Sequence, residues 1–246
     1  MLDWELDCFD AKHAFLHRKL KEDLYMKQPR GFEKYSATGT LLICHLLSSL
    51  YGLKQAALDW YKLLSSILVA LGFFKSKVDF AVFVYVKTLG DGCYIICIIA
   101  WHVDDGLGGS NSRTFLDWVK GQIKDRFGIS NMGAISMYLG IEVEHNRVTR
   151  EAWVHQEAYI SYLCDEYGLS DCNPVSMPMD PNHPFGRDDE VLPVIPDLVH
   201  AYRKIVGELI YLLTCTRPDI VFAVQHLAQH SAHPEARHLA MAKRVV

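Results

Sequence analysis

Residues 93–109, CYIICIIAWHVDDGLGG, join an apolar run to two adjacent aspartates, Asp104 and Asp105, and then to glycines. The apolar run predicts a buried strand that ends at the aspartates. Like charges side by side repel, and burying a carboxylate costs free energy unless a cation or a hydrogen-bond donor compensates for it. The pair therefore indicates either a solvated turn, in which Asp-Gly is common, or half of a metal site.

The composition is that of an ordinary globular protein, with 246 residues, 50% of them hydrophobic and 22% charged. The net charge of −4 argues mildly against a nucleic-acid partner without excluding one. Seven cysteines without a CxxC pair predict buried thiols in a reducing, intracellular compartment. No apolar run approaches the ~20 residues that span a bilayer, so no membrane partner is expected. The acidic N-terminal stretch MLDWELD does not resemble a signal peptide.

The periodicity of apolar residues predicts a mixture of strands and helices. Strand patterns cover residues 4–10, 80–86 and 93–101, and hairpin-like alternation covers residues 137–155. Apolar residues at three- and four-residue spacing predict helices at 60–71, 114–127, 202–214 and 219–230. Six of the nine prolines lie within residues 171–198, which favours a linker there. The predicted class is therefore α+β with a helical C-terminal segment.

A second carboxylate, Asp10, also follows a strand pattern and has mostly apolar neighbours in FDAKHAF. Hairpins of an antiparallel sheet can bring its strand end beside Asp104 and Asp105. Carboxylates that meet in this way repel one another unless a cation lies between them, and Mg²⁺ favours a few carboxylates completed by water and phosphate oxygens. Two such ions would stabilise both the attacking and the leaving oxygen of a phosphoryl transfer. The residues alone therefore indicate a possible two-metal site for phosphoryl transfer.

Six motifs occur in an order that closely resembles the reverse transcriptase region of copia-type LTR retrotransposons. They are FDAKHAFLH, LKEDLYMKQPRGF, SLYGLKQAALDWY, HVDDGLGGSN, MYLGIEV and TCTRPDIVFAV. The resemblance implies a right-handed polymerase palm, an antiparallel sheet packed on helices. It also implies DNA synthesis from deoxynucleoside triphosphates on a primed RNA or DNA template, with two Mg²⁺ ions or, alternatively, Mn²⁺. A fuller-length polyprotein or a dimer partner is a further expectation.

The resemblance assigns the chemistry to three aspartates. Asp10 matches the first aspartate of the palm, and Asp104 and Asp105 match the pair that the family writes YVDD, with His102 in place of tyrosine. All three are predicted as catalytic and metal-binding residues. Asp10 and Asp104 would hold the ions that activate the primer 3′-hydroxyl and bind the triphosphate, and Asp105 would support the site less directly.

The resemblance also assigns residues to the nucleotide. Phe15 falls at the position of the aromatic ring that crowds the sugar 2′-position, although an aromatic residue in such a setting is more often part of a core. Tyr51, Gly52, Lys54 and Gln55 belong to the segment LYGLKQA, which in the family lines the template and the incoming base. Apart from the resemblance, Lys54 and Gln55 are simply polar residues before a helix.

The resemblance divides the chain into a palm with incomplete fingers (1–170), a proline-rich linker (171–199) and a helical start of the connection region towards an RNase H domain (200–246). We expect the finger segment that grips the triphosphate to lie outside this chain, so that the chain alone is weakly active or inactive. Departures from the family pattern, such as Ala57 in place of proline and Ser130 in place of lysine, agree with that expectation.

Two other functions stay open at this point. One is a non-catalytic retroelement remnant that keeps the fold. The other is a metal-dependent nuclease or phosphatase that uses the same carboxylates, for which His13 is the nearby candidate base.

Overall fold

The computed structural model describes residues 4–90, 92–179 and 195–246. The chain forms two compact units, one of Met1–Tyr138 with His145–Glu151 and the other of Leu139–Glu144 with Ala152–Val246. Most of the predicted proline-rich linker, residues 180–194, lies outside the described residues. In the described part of the chain, no helix has the length and apolar character needed to cross a membrane.

The strands and helices follow one another in a mixed order. The strands are β1 (Glu5–Ala11), β2 (Lys19–Met26), β3 (Cys44–Ser48), β4 (Phe74–Lys75), β5 (Val82–Thr88), β6 (Tyr94–His102), β7 (Asp105–Ser110), β8 (Ile129–Ala134), β9 (Met137–Tyr138), β10 (Ile141–Asn146) and β11 (Glu151–His155). The helices are α1 (Ala56–Ala70), α2 (Arg113–Phe127), α3 (Glu157–Glu166), α4 (Pro196–Cys215), α5 (Val221–Ala228) and α6 (Ala236–Val245).

A six-stranded sheet in the order β4-β5-β6-β7-β1-β8 forms the centre of the first unit, and its strand pairs are antiparallel. Strands β2 and β3 form a two-stranded sheet, and β9 to β11 form a three-stranded sheet in the order β11-β10-β9. These antiparallel sheets, together with the packed helices, confirm the predicted α+β class.

The interior strand β7, with the sequence DGLGGS, was not predicted, because glycine is depleted in strands and weakens them. Its glycines make room for neighbouring side chains. A Cβ atom on Gly106 would lie 2.1 Å from Cε2 of Phe9, and one on Gly108 would lie 2.9 Å from Cδ1 of Leu116. The strand therefore needs glycine because the ring of Phe9 and the helix α2 occupy the space of its side chains.

Helices α1 and α2 contribute to the core of the first unit through the predicted apolar stripes. Helix α2 begins after Ser112, whose hydroxyl accepts a hydrogen bond from the backbone nitrogen of Phe115 at 3.4 Å. It ends at Gly128, which has φ of 65° in the left-handed region that glycine adopts without steric cost. Both ends were predicted, and both are confirmed.

The second unit packs its helices around a core of its own. Buried members of this core are Leu163, Tyr202, Ile205, Val206, Leu209, Leu212, Ile220, Val224, Leu227 and Ala242. Helix α4 begins at Pro196, earlier than the predicted pattern, with this proline in its first turn. Proline fits there because its missing N–H has no partner within the helix at that position.

Candidate active site

The sheet brings the predicted aspartates to one end of three neighbouring strands. Asp10 on β1 lies directly opposite Asp105 on β7, and Asp105 lies opposite His102 on β6. Asp104 lies in the two-residue turn that joins β6 to β7. Directly opposed residues of antiparallel strands have side chains on the same face, with Cβ atoms about 5 Å apart. Asp10 therefore lies beside the Asp104–Asp105 pair, from which it is remote in the sequence, while the roles of all three stay a prediction.

The turn that carries Asp104 is held in an unusual backbone conformation. Val103 has φ of 54°, which is strained for a β-branched residue. The indole nitrogens of Trp60 and Trp101 donate to the carbonyl oxygen of Val103 at 2.6 and 2.8 Å. The backbone nitrogen of Ala11 donates to the carbonyl oxygen of Asp104 at 2.8 Å. These three hydrogen bonds stabilise the strained turn and orient Asp104 relative to β1.

The two carboxylate oxygens of Asp104 have different surroundings. The hydroxyl of Tyr51 donates a hydrogen bond to Oδ2. Oδ1 is buried and has no hydrogen-bond partner within the part of the chain that the structure describes. The hydrogen bond to Asp104, followed by burial and by the charges of Asp104 and Asp10, raises the pKa of Tyr51 to about 12. Tyr51 is therefore a neutral donor at physiological pH.

Asp105 is the aspartate whose ionisation the site opposes. Burial raises its pKa, and the neighbouring charges of Asp10 and Asp104 raise it further, whereas His102 acts in the opposite direction. A carboxylate held in its charged form against two like charges is a favourable ligand for a cation.

The donor chemistry of these residues fits a divalent cation. A buried carboxylate oxygen without a partner, on Asp104, and the mutual repulsion of three carboxylates are both relieved by a hard cation with oxygen ligands. The arrangement is nevertheless not closed around an ion. Among the residues that the structure describes, no group of three His, Cys, Asp or Glu side chains is positioned to enclose a metal.

Of the predicted nucleotide-binding residues, Phe15 and Tyr51 pack together near Asp104, and the others lie in the segment before α1. Phe15 is 7% exposed, belongs to the core and has its ring centroid 4.4 Å from that of Tyr51, so these two lie beside Asp104. Gly52 has φ of 94° and open space around it, so the backbone conformation accounts for glycine there. Lys54 is exposed and Gln55 is partly buried, just before α1.

An apolar cavity of about 100 Å³ lies next to Phe15. Its lining residues are Phe15, Ala57, Trp60, Tyr61, Leu64, Trp101 and Val103. The cavity and the strained turn therefore share the two tryptophans.

An ion-pair network behind the site was not predicted. Asp7, 1% exposed, accepts from the ammonium group of Lys120 and, at 3.0 Å, from Nη1 of Arg113 on α2. Arg113 also contacts the carboxylate of Asp117 at 2.7 and 2.9 Å. Two signals in the sequence point to this network. Asp7 is three residues before Asp10, so the two side chains lie on opposite faces of the strand. Lys120 falls within the apolar stripe of α2, where a buried cation needs an acidic partner.

Comparison with known proteins identifies the family. The model of the family described as reverse transcriptase (RNA-dependent DNA polymerase) matches residues 1–181. The retrovirus-related Pol polyprotein from transposon TNT 1-94 of Nicotiana tabacum is 31% identical over 96% of this chain and 18% of its own length. That from transposon RE1 of Arabidopsis thaliana is 34% identical over 99% of this chain and 16% of its own length.

A protein of transposon Ty5-1 of Saccharomyces cerevisiae is 27% identical over 96% of this chain and 73% of its own length. The chain thus spans less than a fifth of the two plant polyproteins and most of the yeast protein. No solved structure matches it significantly. The family match covers all three aspartates and confirms the resemblance read from the motifs. The chain therefore belongs to the reverse transcriptase (RNA-dependent DNA polymerase) family, in the form found in copia-type retrotransposons.

Proposed function

We propose that this chain carries the catalytic centre of an RNA-directed DNA polymerase, with Asp10, Asp104 and Asp105 as its acidic residues. The observation that carries the proposal is the strand register, in which Asp10 is opposite Asp105 and next to the turn that presents Asp104. Membership of the reverse transcriptase family and the raised pKa of Asp105 support it.

The proposed centre works with divalent cations, as is general in this family. Asp10 and Asp104 would hold two Mg²⁺ ions, or Mn²⁺ as an alternative, and Asp105 would adjust their electrostatic surroundings. Bound at this position, the ions supply the charge that lowers the pKa of the primer 3′-hydroxyl and stabilises the triphosphate. Val103 and its two indole donors keep Asp104 in position, so that little reorganisation is needed during the reaction.

The proposed substrates are a deoxynucleoside triphosphate and a primed RNA or DNA template. Phe15 and Tyr51 would contact the sugar, since their rings pack together beside Asp104. Gly52, Lys54 and Gln55 would face the base or the template. In this proposal residues 1–170 are a polymerase palm, residues 171–199 are a linker, and residues 200–246 are the start of a connection region. The chain would act within a longer polyprotein or with a dimer partner.

The test is primer extension on an RNA template with a DNA primer and Mg²⁺, by the purified chain with a finger segment supplied, because the chain alone is expected to be weakly active or inactive. We expect extension that Asp104→Asn lowers by on the order of 100-fold or more, because several kcal/mol of transition-state stabilisation depend on the cations. Asp125→Asn makes the same change at an exposed position on α2 and is expected to extend like the wild type. Extension that survives Asp104→Asn would contradict the proposal.

Two results would favour the other functions. Folded protein that binds Mn²⁺ through Asp104 and extends no primer, even with a finger segment supplied, would indicate a non-catalytic remnant. Cleavage of a labelled duplex in the absence of nucleotides, lost in Asp104→Asn, would indicate a nuclease.

A further inference from the structure

The hydroxyl of Tyr51 blocks access to the carboxylate of Asp104, which the proposed function assigns to metal binding. The hydroxyl of Tyr51 is bound to Oδ2. Oδ1 is shielded from solvent and has no hydrogen-bond partner among the described residues. One oxygen is therefore covered by a donor, and the other is inaccessible to water.

This closed carboxylate cannot receive a hydrated divalent cation. Mg²⁺ gives up its waters reluctantly and usually reaches a protein with several of them still bound. Such an ion has no access to the buried Oδ1, and it competes with the hydroxyl of Tyr51 for Oδ2.

Tyr51 is placed so that it can leave Asp104 at small cost. Tyr51 is 55% exposed, so much of its side chain already lies in solvent. It lies between β3 and α1 and precedes Gly52, which has φ of 94°. Its ring packs against that of Phe15, which belongs to the core of the first unit.

We propose that Tyr51 is a latch that closes Asp104 in the metal-free protein and leaves it when a divalent cation binds. The proposal rests on the proposed function, because it takes Asp104 as a metal ligand. Tyr51 acts through Asp104 and is therefore a positioning residue, whose hydroxyl lowers the affinity of the site for the cation. The latch also reduces the repulsion around Asp104 while the cation is absent, since its O–H donates to the carboxylate.

The test measures binding of Mn²⁺ to the full chain by electron paramagnetic resonance of the free ion, in the absence of nucleotides. We expect Tyr51→Phe, which keeps the ring against Phe15, to bind Mn²⁺ at least tenfold more tightly than the wild type, or about 1.4 kcal/mol. The matched control is Tyr61→Phe, which removes a hydroxyl that donates to the carbonyl oxygen of Phe80 at 3.0 Å. This control is expected to bind Mn²⁺ like the wild type.

A second variant, Tyr51→Leu, lacks both the hydroxyl and the ring and is also expected to bind Mn²⁺ more tightly than the wild type. Circular dichroism verifies that each variant is folded. Binding that appears only when the hydroxyl of Tyr51 is removed would support the latch strongly. Equal or weaker binding by both Tyr51 variants would overturn the latch, while loss of Mn²⁺ in Asp104→Asn would leave the proposed function standing. Binding that Asp104→Asn does not change, or no binding by any variant, would overturn the proposed function and the latch together.

Discussion

Asp105 is the aspartate whose pKa shows the electrostatic repulsion within the site. Its ionised form is opposed by burial and by the charges of Asp10 and Asp104. Because folding raises its pKa, its contribution to stability is fully present below its ordinary pKa and is lost as the pH rises through the raised value. At neutral pH without a divalent cation, Asp105 therefore destabilises the folded protein.

We predict that Asp105→Asn raises the melting temperature in EDTA at pH 7 by roughly 2–4 °C, because the amide keeps the shape of the side chain and removes the charge. The gain should narrow as the pH falls towards 4, where Asp105 is increasingly protonated in the wild type. Thermal denaturation followed by circular dichroism from pH 4 to pH 8 measures this difference. A gain that stays constant over this range, or one that the exposed control Asp125→Asn reproduces, would contradict the explanation.

Gly106 is a second residue whose identity the packing requires. A Cβ atom at this position would lie within 2.1–2.9 Å of three ring atoms of Phe9. Phe9 is buried and packs against Trp101, with ring centroids 5.1 Å apart, so the ring has little room to move. The absence of a side chain at Gly106 thus lets β7 approach β1 next to Asp105.

We predict that Gly106→Ala lowers the free energy of unfolding by about 1–3 kcal/mol, the usual cost of overpacking. Gly121→Ala, in the interior of α2, is the matched control, because a Cβ there meets no atom within 4 Å. Alanine is favoured over glycine within a helix, so the control should gain roughly 0.5–1 kcal/mol. Urea denaturation measures both values, and a loss of equal size in the two variants would argue against a specific clash with Phe9.

At the scale of elements, strand β1 connects the helices to the site through its two faces. Asp7 and Phe9 face the core and α2, whereas Asp10 is at an odd spacing from both and lies on the opposite face. The ion pair of Asp7 with Lys120 is buried at both ends. It therefore joins β1 to α2 directly behind the strand segment that presents Asp10.

We predict that Lys120→Met lowers the free energy of unfolding by about 3–5 kcal/mol, because it leaves the carboxylate of Asp7 buried without one of its cations. Lys124→Met is the matched control at an exposed position of the same helix and should change the stability by less than about 0.5 kcal/mol. Urea denaturation compares the two variants. Similar losses in both would mean that the buried pair contributes nothing beyond the general effect of losing a lysine on α2.

At the scale of the whole molecule, the two units have separate hydrophobic cores. The core of the first contains Trp60 and Trp101, and the core of the second is built from α3 to α6 and has no residue in common with it. In the second unit Trp153 is largely exposed, so buried tryptophan fluorescence reports on the first unit alone.

We predict that Leu209→Ala, in the core of the second unit, lowers the stability of the α4–α6 helices by about 2–5 kcal/mol, as expected for a fully buried leucine. The unfolding transition seen by tryptophan fluorescence should stay within error of the wild type, whereas the transition seen by far-UV circular dichroism should shift or split. Leu116→Ala, in the core of the first unit, should shift the fluorescence transition, together with the part of the circular dichroism signal that α1 and α2 contribute. A shift of the fluorescence transition by Leu209→Ala would mean that the two cores unfold together.

The sequence by itself determined the class of the fold and the family, and it singled out three aspartates whose roles stay a prediction. Helix α2 with its Ser112 cap and Gly128 end, and the strands before Asp10 and Asp104, follow from local patterns, because periodicity and capping depend on neighbours within a few residues. The ordered motifs identified the family, and the match to the family model confirms it.

The tertiary structure alone decided which of these residues touch. Strand β7 could not be predicted locally, because its glycines are required by close contact with Phe9 and Leu116, which lie elsewhere in the sequence. The contact of Tyr51 with Asp104 spans 53 positions, and that of Asp7 with Lys120 spans 113. Contacts of this kind depend on strand order and register. A shift of the register by one residue would move every side chain of the strand to the opposite face of the sheet, and no local pattern encodes the register.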